Sequence, residues 1–92
     1  MDEEQTMKEF YEMVDEFVYL ANKLGGDQDT TRISSVIMFA AARYNAFNFF
    51  VTDGEKQNEA KAIDYYCKQY RLMLQDNFQE TGNLYKKSNK TK

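Results

Sequence analysis

Histidine and proline are absent from this chain of 92 residues, cysteine occurs once and glycine four times. Each shortage removes a class of chemistry or of structure. Without histidine there are no Glu-x-x-His pairs of the kind that build carboxylate-bridged di-iron bundles, and the single thiol, Cys67, has no imidazole base for nucleophilic catalysis. A lone cysteine excludes an internal disulfide, and its default reading is a small buried apolar group. Without proline, and with no glycine between Gly26 and Gly54 or between Gly54 and Gly82, two long stretches contain nothing that breaks a helix. The chain also lacks a Gly-x-x-x-x-Gly-Lys loop, a Gly-x-Ser-x-Gly elbow and a Cys-x-x-Cys pair. No catalytic residue, cofactor or metal is expected, and the chain reads as a protein that is not an enzyme.

What is present is apolar and aromatic material. The apolar fraction is 42%, including seven Phe and seven Tyr, which places the chain outside the disordered class and supplies one modest core. Charge is unevenly placed. Met1 to Glu16 holds seven acids against Lys8, whereas Asn83 to Lys92 holds four lysines and no acid. Subtracting those four lysines from the net charge of −3 leaves −7 on the rest of the chain, which repels a phosphate backbone, so nucleic acid is not an expected partner. The opening Met1-Asp-Glu-Glu lacks the positive and apolar regions of a secretory signal, and a cytoplasmic location is expected.

The run from Val36 to Val51, VIMFAAARYNAFNFFV, is apolar around nearly its whole circumference. At about sixteen residues it falls short of the roughly twenty needed to span a bilayer, and Arg43 near its middle would cost on the order of 2.5–3.5 kcal/mol there. A membrane span is therefore rejected, and a buried central helix is expected instead.

Three helices follow from periodicity. In the first, residues 3–24, Met7, Phe10, Val14, Phe17, Ala21 and Leu24 recur at spacings of three and four and share one stripe, which Met13, Val18 and Leu20 widen. Thr6 with Glu9, or Asp2 with Gln5, starts it, and Lys23 with Gly25-Gly26 ends it. The second helix covers 32–52 after the capping-rich connection GGDQDTT. Asp53-Gly54 is short enough to require an antiparallel return. The third covers 55–78, with Ala60, Ile63, Cys67, Tyr70 and Leu74 as its inner stripe. The fold class is all-α, a three-helix antiparallel bundle formed by one domain, residues 1–80, followed by a flexible lysine-rich tail, residues 81–92.

In a three-helix bundle a helix has two neighbours, so one that is apolar on every side leaves a strip for another molecule to cover. A homodimer is the simplest solution, because a self-complementary patch covers both copies at once. Its interface is expected to include Phe39, Ala42, Ala46, Phe49 and Phe50; a different protein partner would serve the same purpose.

Arg43 is the most informative single residue, since a guanidinium in an apolar helix reaches either solvent or a carboxylate. An ion pair with Asp64 is the preferred reading. The alternative is a site for a small anionic ligand, binding or enzymatic, around Arg43, Asn45 and Asn48. Asn45, Asn48 and Thr52 share a face of the same helix and are expected to bond across an interface or to cap backbone groups. The acidic cluster of the first helix reads as a solvated face rather than a metal site. Asp27-Gln28-Asp29 opens like a calcium loop, but Arg32 stands where glycine is required and Met38 where the closing glutamate is required.

The stretch Phe39-Ala-Ala-Ala-Arg43-Tyr-Asn45-Ala-Phe47, with Phe10-Tyr11, Leu20-Ala21-Asn22 and Ala62-Ile-Asp64-Tyr-Tyr, resembles a family of small bacterial proteins classed as a domain of unknown function. The resemblance covers about Phe10 to Phe78. It implies a bacterial, cytoplasmic origin and makes Arg43, Asn45 and Asp64 part of the family pattern, but it brings no activity with it. The function expected is that of a noncatalytic interaction or regulatory module.

Overall fold

Asp2 starts the first helix. Its backbone is extended (φ −66°, ψ 138°) and its carboxylate accepts the Glu4 N–H at 3.1 Å, which satisfies one of the donors that a helix leaves open at its start. The Thr6 hydroxyl donates to the Asp2 carbonyl at 3.2 Å, so the earlier of the two candidate caps is the one used. Helix α1 then runs over Glu3–Gly25. Glu3 and Glu4 lie in its first turn and Lys23 in its last, each at the end of the helix dipole that favours its charge. Gly26 closes it at φ 63°, a left-handed angle at which glycine meets no Cβ penalty, and its N–H bonds to the Asn22 carbonyl at 3.0 Å. The structure, a computed structural model, describes residues 2–26 and 29–90, the last six of these as backbone alone. Asp27 and Gln28 of the connection, and Thr91 and Lys92 of the tail, lie outside the described residues.

Helix α2 covers Thr30–Thr52, two residues earlier than the expected start. Asp29 explains the difference, because its carboxylate accepts the Arg32 N–H at 3.2 Å and its carbonyl accepts the Ile33 N–H. Gly25 packs against Ile33 so closely that a Cβ at position 25 would overlap the isoleucine side chain. At the other end of α2 the N–H groups of Asp53 and Gly54 both bond to the Phe49 carbonyl, and Gly54 adopts φ 76°. The chain divides into two compact units, Met1–Tyr44 and Asn45–Lys92, with the division falling inside α2.

Helix α3 covers Glu59–Lys90 and is preceded by a 3-10 turn, Lys56–Asn58, where the sequence predicts the helix itself from residue 55. The Asp53 carboxylate makes that turn, accepting the Glu55 N–H at 2.8 Å and the Asn58 side-chain amide at 3.2 and 3.0 Å. The expected end also needs correction. Gly82 lies within α3, which continues past the expected limit at 78 to Lys90. A single interior glycine costs about 1 kcal/mol, and with no proline near it that penalty does not stop a helix. The fold is all-α, with three helices and no strand among the described residues.

Within the second unit the end of α2 and the start of α3 meet beside the turn. Asn48 Nδ2 donates to the Tyr66 hydroxyl at 3.0 Å, and the residues near the turn, Thr52 and Ala62, line the same depression. Asn58 of the 3-10 turn and Ala62, Tyr66 and Gln69 of α3 are half-buried. This corrects the expected inner stripe. Ala60, Ile63, Cys67, Tyr70 and Leu74 are exposed, and Cys67 is an exposed free thiol rather than a buried group. An offset of one residue turns a helix by 100°, which moves the stripe from the shielded face to the flank.

Candidate functional site

Within the second unit the α2–α3 corner forms an open depression of about 340 Å³ lined by Phe49, Thr52, Asp53, Asn58, Lys61, Ala62, Tyr65 and Tyr66. Phe49 is the best-shielded residue of α2, at 9% exposure, and stacks edge-on against Phe50 with ring centroids 5.3 Å apart. Tyr65 and Tyr66 form a second edge-on pair at 5.5 Å. Edge-to-face geometry sets the positive rim of one ring against the negative face of the next.

The polar groups of this corner are largely occupied with one another. Thr52 donates to the Asn48 carbonyl at 2.8 Å, Asn48 donates to Tyr66, and Asp53 holds Glu55 and Asn58. Lys61 is the one cation of the lining. Chemically the corner offers aromatic surface with one ammonium group, Lys61, and one carboxylate, Asp53. Among the described residues no group of three or more acidic, histidine or cysteine side chains is placed to hold a metal ion.

The residues singled out from sequence are distributed rather than gathered here. Arg43 lies in the first unit with its guanidinium 5.0 Å from the centre of the Phe39 ring, one turn back on the same helix. Such a cation–π contact is worth about 0.5–1 kcal/mol at an exposed position. Asp64 stands on α3 in the second unit and is exposed. Asn45 is half-buried, Asn48 serves the corner as described, and the Thr52 hydroxyl caps a backbone carbonyl as its position suggests. Of the five residues expected at an interface, Phe39, Ala42, Ala46 and Phe50 are exposed, whereas Phe49 is buried within its own chain. Sequence reasoning missed the Asp53–Asn58 bridge and the part of Lys61 and Tyr65 in the corner. The signal for the bridge was an aspartate at a helix end followed five residues later by asparagine.

These features define a small all-α protein, and no helix among the described residues is long and apolar enough to cross a membrane. The chain belongs to the family described as protein of unknown function DUF3144, whose model matches residues 10–81. No curated protein and no solved structure matches the chain.

Proposed function

We propose that the protein is a noncatalytic homodimeric interaction or regulatory module of the cytoplasm, with α2 contributing to the interface. The observation that carries this reading is the state of α2. It is the most apolar helix of the chain, yet Phe49 is its only buried residue, and Phe39 and Phe50 are 64% and 60% exposed. Large exposed apolar side chains along one helix favour an interaction site, and a second copy is the simplest cover because one patch serves both partners.

Solution mass by light scattering on a sizing column, across a wide concentration range, tests the reading. A mass twice that of the 10.9 kDa chain is expected, with Phe50→Glu shifting the equilibrium to monomer while helicity persists. A helical monomer at every concentration would overturn it.

A further inference from the structure

Asp53-Gly54 is the one place in the chain where an aspartate or an asparagine is followed by glycine. That pair has a chemistry of its own. The backbone nitrogen of Gly54 is near enough in the chain to the Asp53 carboxyl carbon to close a five-membered ring, and glycine puts no side chain in the way of the approach. In the reaction the Gly54 nitrogen bonds to Cγ of Asp53, and one carboxyl oxygen leaves as water with the carboxyl and amide protons. Water then adds back to the succinimide. Opening at Cγ restores aspartate, whereas opening at the α-carbonyl leaves the chain running through Cγ, an isoaspartate of unchanged mass with one extra backbone carbon. Water is the only co-reactant.

The folded turn occupies both reacting groups. The Gly54 N–H donates to the Phe49 carbonyl at 3.0 Å. One Asp53 carboxylate oxygen accepts the Glu55 N–H at 2.8 Å and Asn58 Nδ2 at 3.2 Å, and the other accepts Asn58 Nδ2 at 3.0 Å. Closing the ring takes the proton that Gly54 donates and an oxygen that Asn58 holds, so the turn must open first. Asp53 and Gly54 are both exposed, which leaves hydrogen bonding rather than burial as the protection. The glycine is also required by the fold. Gly54 adopts φ 76°, and a Cβ there would stand 3.3 Å from the Phe49 carbonyl oxygen, so the turn depends on the residue that makes the bond reactive.

We propose that Asp53-Gly54 is a site of spontaneous isoaspartate formation held in check by the folded turn, with Asn58 as the protecting residue. The product no longer fits the turn. Its carboxylate is displaced by one bond and its backbone is one carbon longer, so the contacts to Glu55 and Asn58 are lost at the corner that shields Phe49. The proposal concerns the α2–α3 turn alone and holds for a monomer or a dimer.

The experiment ages the full chain at neutral pH, folded in buffer and unfolded in guanidinium chloride, beside an Asn58→Ala variant in buffer whose helicity has been checked. Trypsin releases residues 44–56, in which Asp53 is the only aspartate. Isomerisation shifts the retention of this peptide without changing its mass, and fragmentation identifies the β-linked product; deamidation of Asn45 or Asn48 changes the mass and is told apart. The synthetic peptide 44–56, run in both solutions, corrects for the effect of denaturant on the chemistry itself. Isoaspartate should accumulate about tenfold more slowly in the folded chain, the factor given by a local opening cost of about 1.4 kcal/mol, and folded Asn58→Ala should lose most of that protection. Equal corrected rates in the folded and unfolded chain, or no isoaspartate in the unfolded chain, would overturn the proposal, and full protection in folded Asn58→Ala would overturn the role of Asn58. Should Asn58→Ala fail to fold, Asn58→Ser, with one proton to donate instead of two, takes its place. The comparison of folded with unfolded parent chain needs neither variant.

Discussion

Helices α1 and α2 are each 23 residues long, but they distribute their apolar residues in opposite ways. On α1 the apolar positions fall on one side and Lys8, Glu9, Glu12, Asp15 and Glu16 on the other, so the sequence itself indicates which face should be buried. On α2 the apolar residues surround the axis, and the sequence cannot rank Phe39, Phe47, Phe49 and Phe50 by burial. The structure ranks one of them, placing Phe49 against the Tyr66 side of α3 and leaving the others largely open. A sorted helix states its orientation, whereas an unsorted helix obtains it from the partner that reaches it first. In the second unit that partner is fixed by a turn of a few residues.

Truncating Phe49 tests that ranking most severely. Phe49→Ala should cost about 3–5 kcal/mol, as for other large buried aromatics, while Val51→Ala on the exposed side of α2 should cost under about 1 kcal/mol. Urea denaturation followed by circular dichroism measures both at a concentration low enough to hold the chain in one association state. Equal losses would mean that α2 is not oriented by Phe49.

A smaller effect tests how α1 and α2 are joined. Gly25→Ala places a methyl group against the β-branched Ile33, and overpacking of this kind costs about 1–3 kcal/mol. In an Ile33→Ala background the same change should lose that penalty and gain helix propensity, up to about 1 kcal/mol. A double-mutant cycle without this change of sign would show that the close approach does not govern the turn.

The smallest pair compares the two helix starts. Asp2→Ala and Asp29→Ala each remove a capping carboxylate and should cost about 0.5–2 kcal/mol, with Asn retaining most of the stability in either place. Thermal melts resolve the difference. An Asp29→Ala chain as stable as the parent would assign the start of α2 to tertiary packing instead of to its cap.

Much of the architecture is legible from local chemistry. The number of helices, the start of α1 at Asp2, its stop at Gly26 and the tight return at Asp53-Gly54 all follow from residues that satisfy neighbouring backbone groups. The misreadings share one cause. The strongest apolar spacing in α3 picks out Ile63, Cys67, Tyr70 and Leu74, whereas the contact with α2 uses Ala62 and Tyr66, one helical step away. Periodicity shows that a helix has a preferred face; it does not identify the neighbour that will use it. For the same reason Cys67 is exposed, and the corner formed by Phe49, Lys61 and Tyr65 could not be assembled from positions that lie far apart in the chain.

The all-α class, the two glycine-marked turns and the absence of an imidazole, with the chemistry that depends on it, are legible in the residues alone. These depend on backbone propensity and composition, which act within a few residues. The packing of α2 against the start of α3 settles which side of α2 is shielded, and that Ala62 and Tyr66 rather than Ile63 and Cys67 meet it. Those outcomes depend on the rotation of each helix about its own axis, and that rotation is set by the neighbour a helix meets, not by its own residues alone.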